Sequence, residues 1–379
     1  MNKNKTANWR KCMKYSRKLL LFTLLLLTFV CLFGGCQKSE KSQVKAAATR
    51  ELDLLKDLDD KTIEKYISYE DLYPSGEIHQ EVSSKIKNIF SRFYANFSYK
   101  ILDIQVKDQT ARVTVRLNTI DAETLAKDYS RASMKKRIAS SANPEGVEYS
   151  LEDYYLLLGE LLDENQYDTV ENNCTLKLSK ENNTWKLEHS SRLDDQLVGG
   201  FVSYLQDPNL FTPEEIVEIH FDTLKEFDTE QLNRYLGIDT LFDADDAYSR
   251  SLTQELTNQI SDHFDYRILK ESDDGHTATV TAEITSYDAK SILNSYEKKL
   301  DSYLNSSQAF ADGESGRLKK SSQLLLNSIK ANKSASSTKL DLTLINDGTS
   351  WKLQMNEDVA QAILGGMGEA VKEISSDVK

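Results

Sequence analysis

Residues 107–117 read Lys-Asp-Gln-Thr-Ala-Arg-Val-Thr-Val-Arg-Leu. Ala111, Val113, Val115 and Leu117 alternate with polar residues, the period of a strand that buries one face. Lys107-Asp108-Gln109-Thr110 supplies a turn, and Tyr99 and Ile101 alternate on its other side, so the segment reads as an antiparallel hairpin. A second hairpin follows in the same style, with Leu176 and Leu178 set against Trp185 and Leu187 across Glu181-Asn182-Asn183-Thr184. Cys174 shares the alternation of Leu176 and Leu178 and reads as a small buried hydrophobe, not a reactive thiol.

The same blocks recur further on. Leu55-Lys56-Asp57-Leu58-Asp59 with Tyr66 matches Leu224-Lys225-Glu226-Phe227-Asp228 with Tyr235, at an offset of 169. Phe97-x-Tyr99-x-Ile101 matches Phe264-x-Tyr266-x-Ile268, and Ala111, Val113 and Asp121-Ala122 match Ala278, Val280 and Asp288-Ala289, both at 167. Leu176, Leu178 and Trp185-Lys186-Leu187 match Leu342, Leu344 and Trp351-Lys352-Leu353 at 166, as Gly199-Gly200 matches Gly365-Gly366. Five blocks in order with so little slippage read as a tandem duplication. The boundary falls near Asp207-Pro208-Asn209, because Thr212-Pro213-Glu214-Glu215 is a helix start, with a capping hydroxyl, proline in the first turn and glutamate three residues on. The copies then span 46–207 and 212–379.

Each copy opens with helices. Ile216, Ile219, Leu224 and Phe227 fall near helical spacing, and Val82, Ile86, Ile89 and Phe93 share one side of a helix over 82–94. A helical segment interrupts the hairpins, over 122–138 and 154–162 in the first copy and over 289–304 and 318–329 in the second. The second copy turns at Asp273-Asp274-Gly275 and again at Asn346-Asp347-Gly348-Thr349. A final helix, over 197–205 and 360–371, holds the Gly-Gly pair. Helices followed by alternating hairpins give an α+β fold, an antiparallel sheet packed against N-terminal and inserted helices.

The N-terminus carries seven basic and no acidic residues before an apolar run from Leu19 to Phe33, then Gly34-Gly35-Cys36. The run is shorter than the roughly 20 residues of a spanning helix. The order resembles the signal peptide of a bacterial lipoprotein, although Phe33 stands where that pattern usually has leucine. The resemblance implies residues 1–35 as a cleaved signal with Gly34 and Gly35 beside the cut, lipid on the Cys36 sulfur, and a polar tether over 36–45. A diacylglyceryl group then anchors the chain at the outer face of the cytoplasmic membrane of a Gram-positive cell.

Without the signal, 40 basic residues face 60 acidic ones, a net charge of −20 against −13 for the whole chain. Such a surface repels nucleic acid and reads as a solvated face. Of four cysteines, Cys12 and Cys31 leave with the signal and Cys36 takes lipid, so Cys174 has no disulfide partner.

The acidic opening helix, the Val/Ala strand pair and the closing Asn/Asp-Gly-x-x-Trp-Lys-Leu strand resemble tandem lipoprotein domains of unknown function in Firmicutes. Those are similar in plan to cystatin-like or NTF2-like cones, and the resemblance implies no settled activity. The long helical insertion departs from a minimal cone. Catalytic motifs are missing: His79, His189, His220, His263 and His276 have no histidine counterpart in the other copy, and no Gly-x-Ser-x-Gly, Cys-x-x-Cys or phosphate-cradling loop occurs. Asp239, Asp243, Asp245 and Asp246 lack the glycine and closing glutamate of a calcium loop and read as a solvated turn. Asp57, Asp59 and Asp60 read as the cap of a second helix. Trp185 and Trp351 read as core, and the Gly-Gly pairs as places where a helix meets the sheet closely. Tyr99 and Tyr266 face inward, with no carboxylate at inward strand positions to make a proton-transfer pair. No metal, cofactor or catalytic residue is assigned. The expected role is a non-catalytic envelope lipoprotein that binds a protein, peptide or small apolar ligand. The alternatives are a small-molecule or enzymatic pocket in one copy, and the binding component of an importer, which requires alternating βαβ lobes and a parallel sheet.

Overall fold

The computed structural model describes residues 39–58, 84–142, 150–241 and 247–370. They gather into two compact units. The first holds residues 39–57, 98–117 and 171–193; the second holds the remaining described residues. The fold is mixed α and β, with two four-stranded sheets.

In the first unit, helix α1 (Glu40–Lys56) starts at Ser39, whose hydroxyl accepts from the Ser42 N–H. Strands β1 (Ser98–Lys107), β2 (Thr110–Ile120), β3 (Thr169–Glu181) and β4 (Thr184–Leu187) form a sheet in that order. The expected turns stand: Asp108 takes the left-handed conformation in the first, Asn182 and Asn183 in the second. Val113, Val115, Leu176, Leu178 and Trp185 are buried on one face, and α1, packed on β1 and β4, buries Val44, Ala48 and Leu52. Each such aliphatic side chain contributes about 1.5–3 kcal/mol. Lys180 lies 5.7 Å over the Trp185 ring and bonds Glu40 at 2.9 Å, tying the start of α1 to the sheet.

The second unit contains helices α2 (Ser84–Phe93), α3 (Ala122–Ser141) and α4 (Leu151–Glu164), and the short α5 (Ser191–Leu197, from residue 194) and α6 (Phe201–Leu205). It continues through α7 (Pro213–Glu226), α8 (Thr229–Leu236) and α9 (Ala247–His263). Strands β5 (Asp265–Asp273) and β6 (Thr277–Tyr287) precede α10 (Ala289–Leu304), α11 (Ser307–Ala311) and α12 (Gly313–Ala331). Strands β7 (Ala335–Asn346) and β8 (Trp351–Leu353) and helix α13 (Glu357–Ile363) complete it. Thr212 and Glu215 form the expected capping box, with Pro213 opening α7.

The second sheet is antiparallel in the order β5-β6-β7-β8, with Val280 opposite Leu342 and Ala278 opposite Leu344. The register of its last pair, Leu344 against Leu353, repeats Leu178 against Leu187 in the first sheet. Helices α7, α9 and α13 cover the apolar face, burying Ile216, Ile260 and Val359 against Val280, Ala282 and Leu342. The opposite face carries hydroxyls and charge, including Thr281 on Asp341 at 2.6 Å and Arg267 on Glu283 at 2.9 Å.

Two expectations need correction. Residues 40–45, read as tether, form the first turns of α1, because Val44 is apolar and packs inward. The Gly-Gly pairs do not sit inside a helix; both have positive φ and break it. They do provide close approach: a Cβ on Gly365 would overlap the Tyr287 carbonyl, and one on Gly199 would lie 2.8 Å from Thr119 Oγ1. Asp57 closes α1, its N–H bonding Asp53 O, and the second helix it was expected to cap lies outside the described residues. Helices α2, α3 and α4, which fall within residues 46–207, belong to the second unit. Cys36, Gly34, Gly35, the cut site, Asp59, Asp60, His79, Asp243, Asp245 and Asp246 lie outside the described residues.

Candidate functional site

Four helices of the second unit converge on an aromatic cluster. Phe90 and Phe93 come from α2, Tyr129 from α3, Tyr155 and Leu158 from α4, and Phe201 from α6. Their rings meet at tilted or edge-on angles: Phe93 to Phe201 at 5.7 Å, Tyr129 to Phe201 at 6.0 Å, Phe90 to Tyr155 at 5.7 Å. Such geometry suits the ring quadrupoles. Gly159 lets α4 approach α2, since a Cβ there would lie 2.8 Å from Ile89 Cγ1. The rings do not close on one another. They leave a cleft of about 300 Å³, walled almost wholly by apolar atoms, with Val202 (46 % exposed) at its mouth. That volume is at the small end of ligand sites. Burial pushes the Tyr129 phenol up to about 12, so it stays neutral at ordinary pH.

A second cavity of about 360 Å³ shares Tyr129, Tyr154 and Leu205 with the first. Its wall is more polar: Ser130, Ser133, Arg137, Asp207, Thr349 and Lys352 stand among Phe211, Ile216 and Trp351. Ser133 Oγ is buried beside the Tyr129 hydroxyl and makes no hydrogen bond of normal geometry. Asp207 is engaged locally, accepting from the Asn209 N–H at 2.9 Å.

Helix α3 is basic in an acidic chain, with Lys127, Arg131, Lys135, Lys136 and Arg137 against Glu123 and Asp128. Acidic residues answer most of these cations. Lys127 lies 2.7 Å and Arg131 4.0 Å from Glu215, Lys135 2.6 Å from Glu226, and Lys136 3.8 Å from Glu160. Burial alone would raise the Glu215 carboxyl. The Lys127 bond, the Thr212 N–H and the two cations overcome that and hold it below the usual range. Lys127 and Arg131 also flank the Phe211 ring at 5.7 and 5.6 Å. Arg137 has no ion pair among the described residues.

The inward tyrosines do meet carboxylates, which come from helices. Tyr99 donates to Asp53 on α1 at 2.6 Å, and Tyr266 to Asp222 on α7 at 2.7 Å. Each phenol is raised, Tyr99 to about 12, by burial first and by its bonded carboxylate second. These pairs tie a helix to a strand and present no phenolate. In the second unit His220 Nε2 and the Tyr235 hydroxyl share a hydrogen bond at 2.6 Å, and burial lowers the His220 pKa to about 4. Cys174 is 3 % exposed, and burial raises its thiol to about 11. Trp185 and Trp351 are core, as read. Asp239 donates its N–H to the Asn233 side chain. No group of three candidate metal ligands and no helix able to cross a membrane occurs among the described residues. The aromatic cleft was missed in the sequence; its one visible signal was the density of Phe and Tyr over 90–97, 154–155 and 201–204.

No family model matches the chain. No curated protein matches it. Among solved structures, it is similar to one described as "a putative lipoprotein (ycdA)" from Bacillus subtilis subsp. subtilis str. 168. The match covers 70 % of this chain and 94 % of that one, at 16 % identity and a TM-score of 0.26. A superposition that loose carries no argument about fold or role.

Proposed function

We propose that this chain is a lipid-anchored extracytoplasmic protein that binds a small apolar ligand without transforming it, and that the aromatic cleft is the site. The anchor is Cys36, and the body is a duplicated α+β unit similar in plan to an NTF2-like cone. The Tyr–Asp pairs support the duplication: Asp53 and Asp222 lie 169 residues apart, Tyr99 and Tyr266 lie 167 apart, and both hydroxyls make the same bond.

The observation that carries the ligand reading is the cleft itself, apolar space lined by rings from four helices. Several positions equivalent to its lining differ in the second copy, while Tyr129 corresponds to Tyr296 and Leu158 to Leu324. Phe90, Phe93 and Phe201 correspond to Thr257, Ile260 and Met367, and Tyr155 corresponds to Ser321, which bonds Tyr296 at 2.6 Å. One copy thus keeps aromatic residues where the other is smaller or more polar, which supports a site in the first copy's helices only.

The test is photolabelling of the full chain in lipid nanodiscs with a diazirine-bearing decanol. Adducts are expected on peptides holding Tyr129, Tyr154 and Phe201. Val202→Trp, which fills the mouth from an exposed position, should reduce them several-fold. Adducts elsewhere, or indifference to Val202→Trp, would refute the site.

A further inference from the structure

The cleft opens beside a chamber of different chemistry, and the two share the wall of Tyr129, Tyr154 and Leu205. A ligand that crossed that wall would meet Arg137 and Lys352. Building on the ligand reading above, we propose that the occupant is an amphiphilic anion, such as a medium-chain carboxylic acid. Its apolar body lies among the rings and its acidic head is received by Arg137, with Lys352 alongside.

Charge bookkeeping on α3 isolates Arg137. Its four fellow cations are each matched to an acidic residue of α4 or α7. Arg137 has no such partner among the described residues, yet it lines the cavity. Lys352 lies 3.9 Å from Asp347 and so supplies a partly satisfied charge. Asp207 on the same wall is held in its own turn by the Asn209 N–H. The chamber wall thus carries two cations and one carboxylate in a chain of net charge −13. Ser133, 8 % exposed, also lines the chamber, its hydroxyl beside the Tyr129 phenol. A guanidinium and a hydroxyl beside an apolar cleft match a carboxylate carried on a hydrocarbon.

The experiment compares a diazirine-bearing decanoic acid with the corresponding decanol on the full chain in nanodiscs of neutral lipid. Adducts are mapped to the cleft peptides. The acid should label more strongly, and Arg137→Gln should weaken acid labelling about tenfold, the effect of losing one charge-assisted contact. Decanol labelling should not change. Lys136→Gln, whose native partner is Glu160 outside the chamber, should leave both probes unaffected. Arg137 is exposed, so its replacement spares the fold. Equal labelling by acid and alcohol, unmoved by Arg137→Gln, would overturn the anionic head while leaving an apolar site. Labelling by neither probe would remove the ligand site, and this inference with it.

Discussion

Gly365 and Gly366 form a matched pair that separates backbone strain from crowding. Both hold positive φ, +61° and +72°. An alanine in that region costs about 1 kcal/mol. A Cβ on Gly366 meets nothing within 4 Å, so that cost is all Gly366→Ala should show. At Gly365 the new methyl would overlap the Tyr287 carbonyl oxygen, and backbone has to move. The displacement puts two bonds at risk: Ala289 N–H to Gly365 O at 3.3 Å and the buried Ser286 hydroxyl to Ile363 O at 2.6 Å. At about 1 kcal/mol each, Gly365→Ala should cost about 3 kcal/mol. Urea unfolding in a Trp9→Phe, Trp185→Phe background, followed by Trp351 in β8, reports the second unit. With a slope near 2 kcal/mol/M, midpoints should fall by about 1.5 M for Gly365→Ala and about 0.5 M for Gly366→Ala. Equal shifts would show that the helix does not need to pass so close to the strand, and the account of the glycine pair would fail.

Three further outcomes are expected. Burial holds His220 neutral, with a pKa near 4 against 6.5. Its contribution is therefore complete above pH 6.5 and is lost as pH falls toward 4, up to about 3 kcal/mol; an NMR titration midpoint near 6.5 would contradict this. Removing one phenol with Tyr266→Phe should destabilise the second unit by about 1.5 kcal/mol, and a cycle with Asp222→Asn should show coupling of similar size; additive single effects would mean the bond contributes nothing. Cys36→Ser should abolish incorporation of an alkynyl lipid label in cells, and undiminished labelling would place the anchor elsewhere.

Much of the fold was legible because its signals are local. Alternation at Ala111–Leu117 needs only the two-residue period of a strand, and both first-copy hairpin turns fall where the polar residues interrupt it. The start of α7 is likewise a short-range grammar of hydroxyl, proline and glutamate. Readings failed where a local signal competed with tertiary packing. The polar stretch at residues 40–45 looks like tether until Val44 meets the sheet. The Gly-Gly pairs look like small residues within a helix, but their backbone φ makes them its end.

The site was hidden for a different reason. Its rings are scattered over more than 100 residues, from Phe90 to Phe201, and each alone is indistinguishable from a core aromatic. Only packing shows that they surround space and do not fill it. Arg137 is harder still, because its distinction is relational. In the sequence it is one of five cations on a helix; in the structure Glu215, Glu226 and Glu160 account for the other four. Catalytic motifs show as residue type and spacing, whereas the proposed site would be defined by what its neighbours leave unsatisfied. The Tyr–Asp tie sharpens that point, because it and the alternating buried strand residues occur with both sheets. Under the proposed duplication, positions 90, 93, 155 and 201 correspond to threonine, isoleucine, serine and methionine. On that proposal, residues free to change and gathered around one cleft are where a ligand would leave its mark.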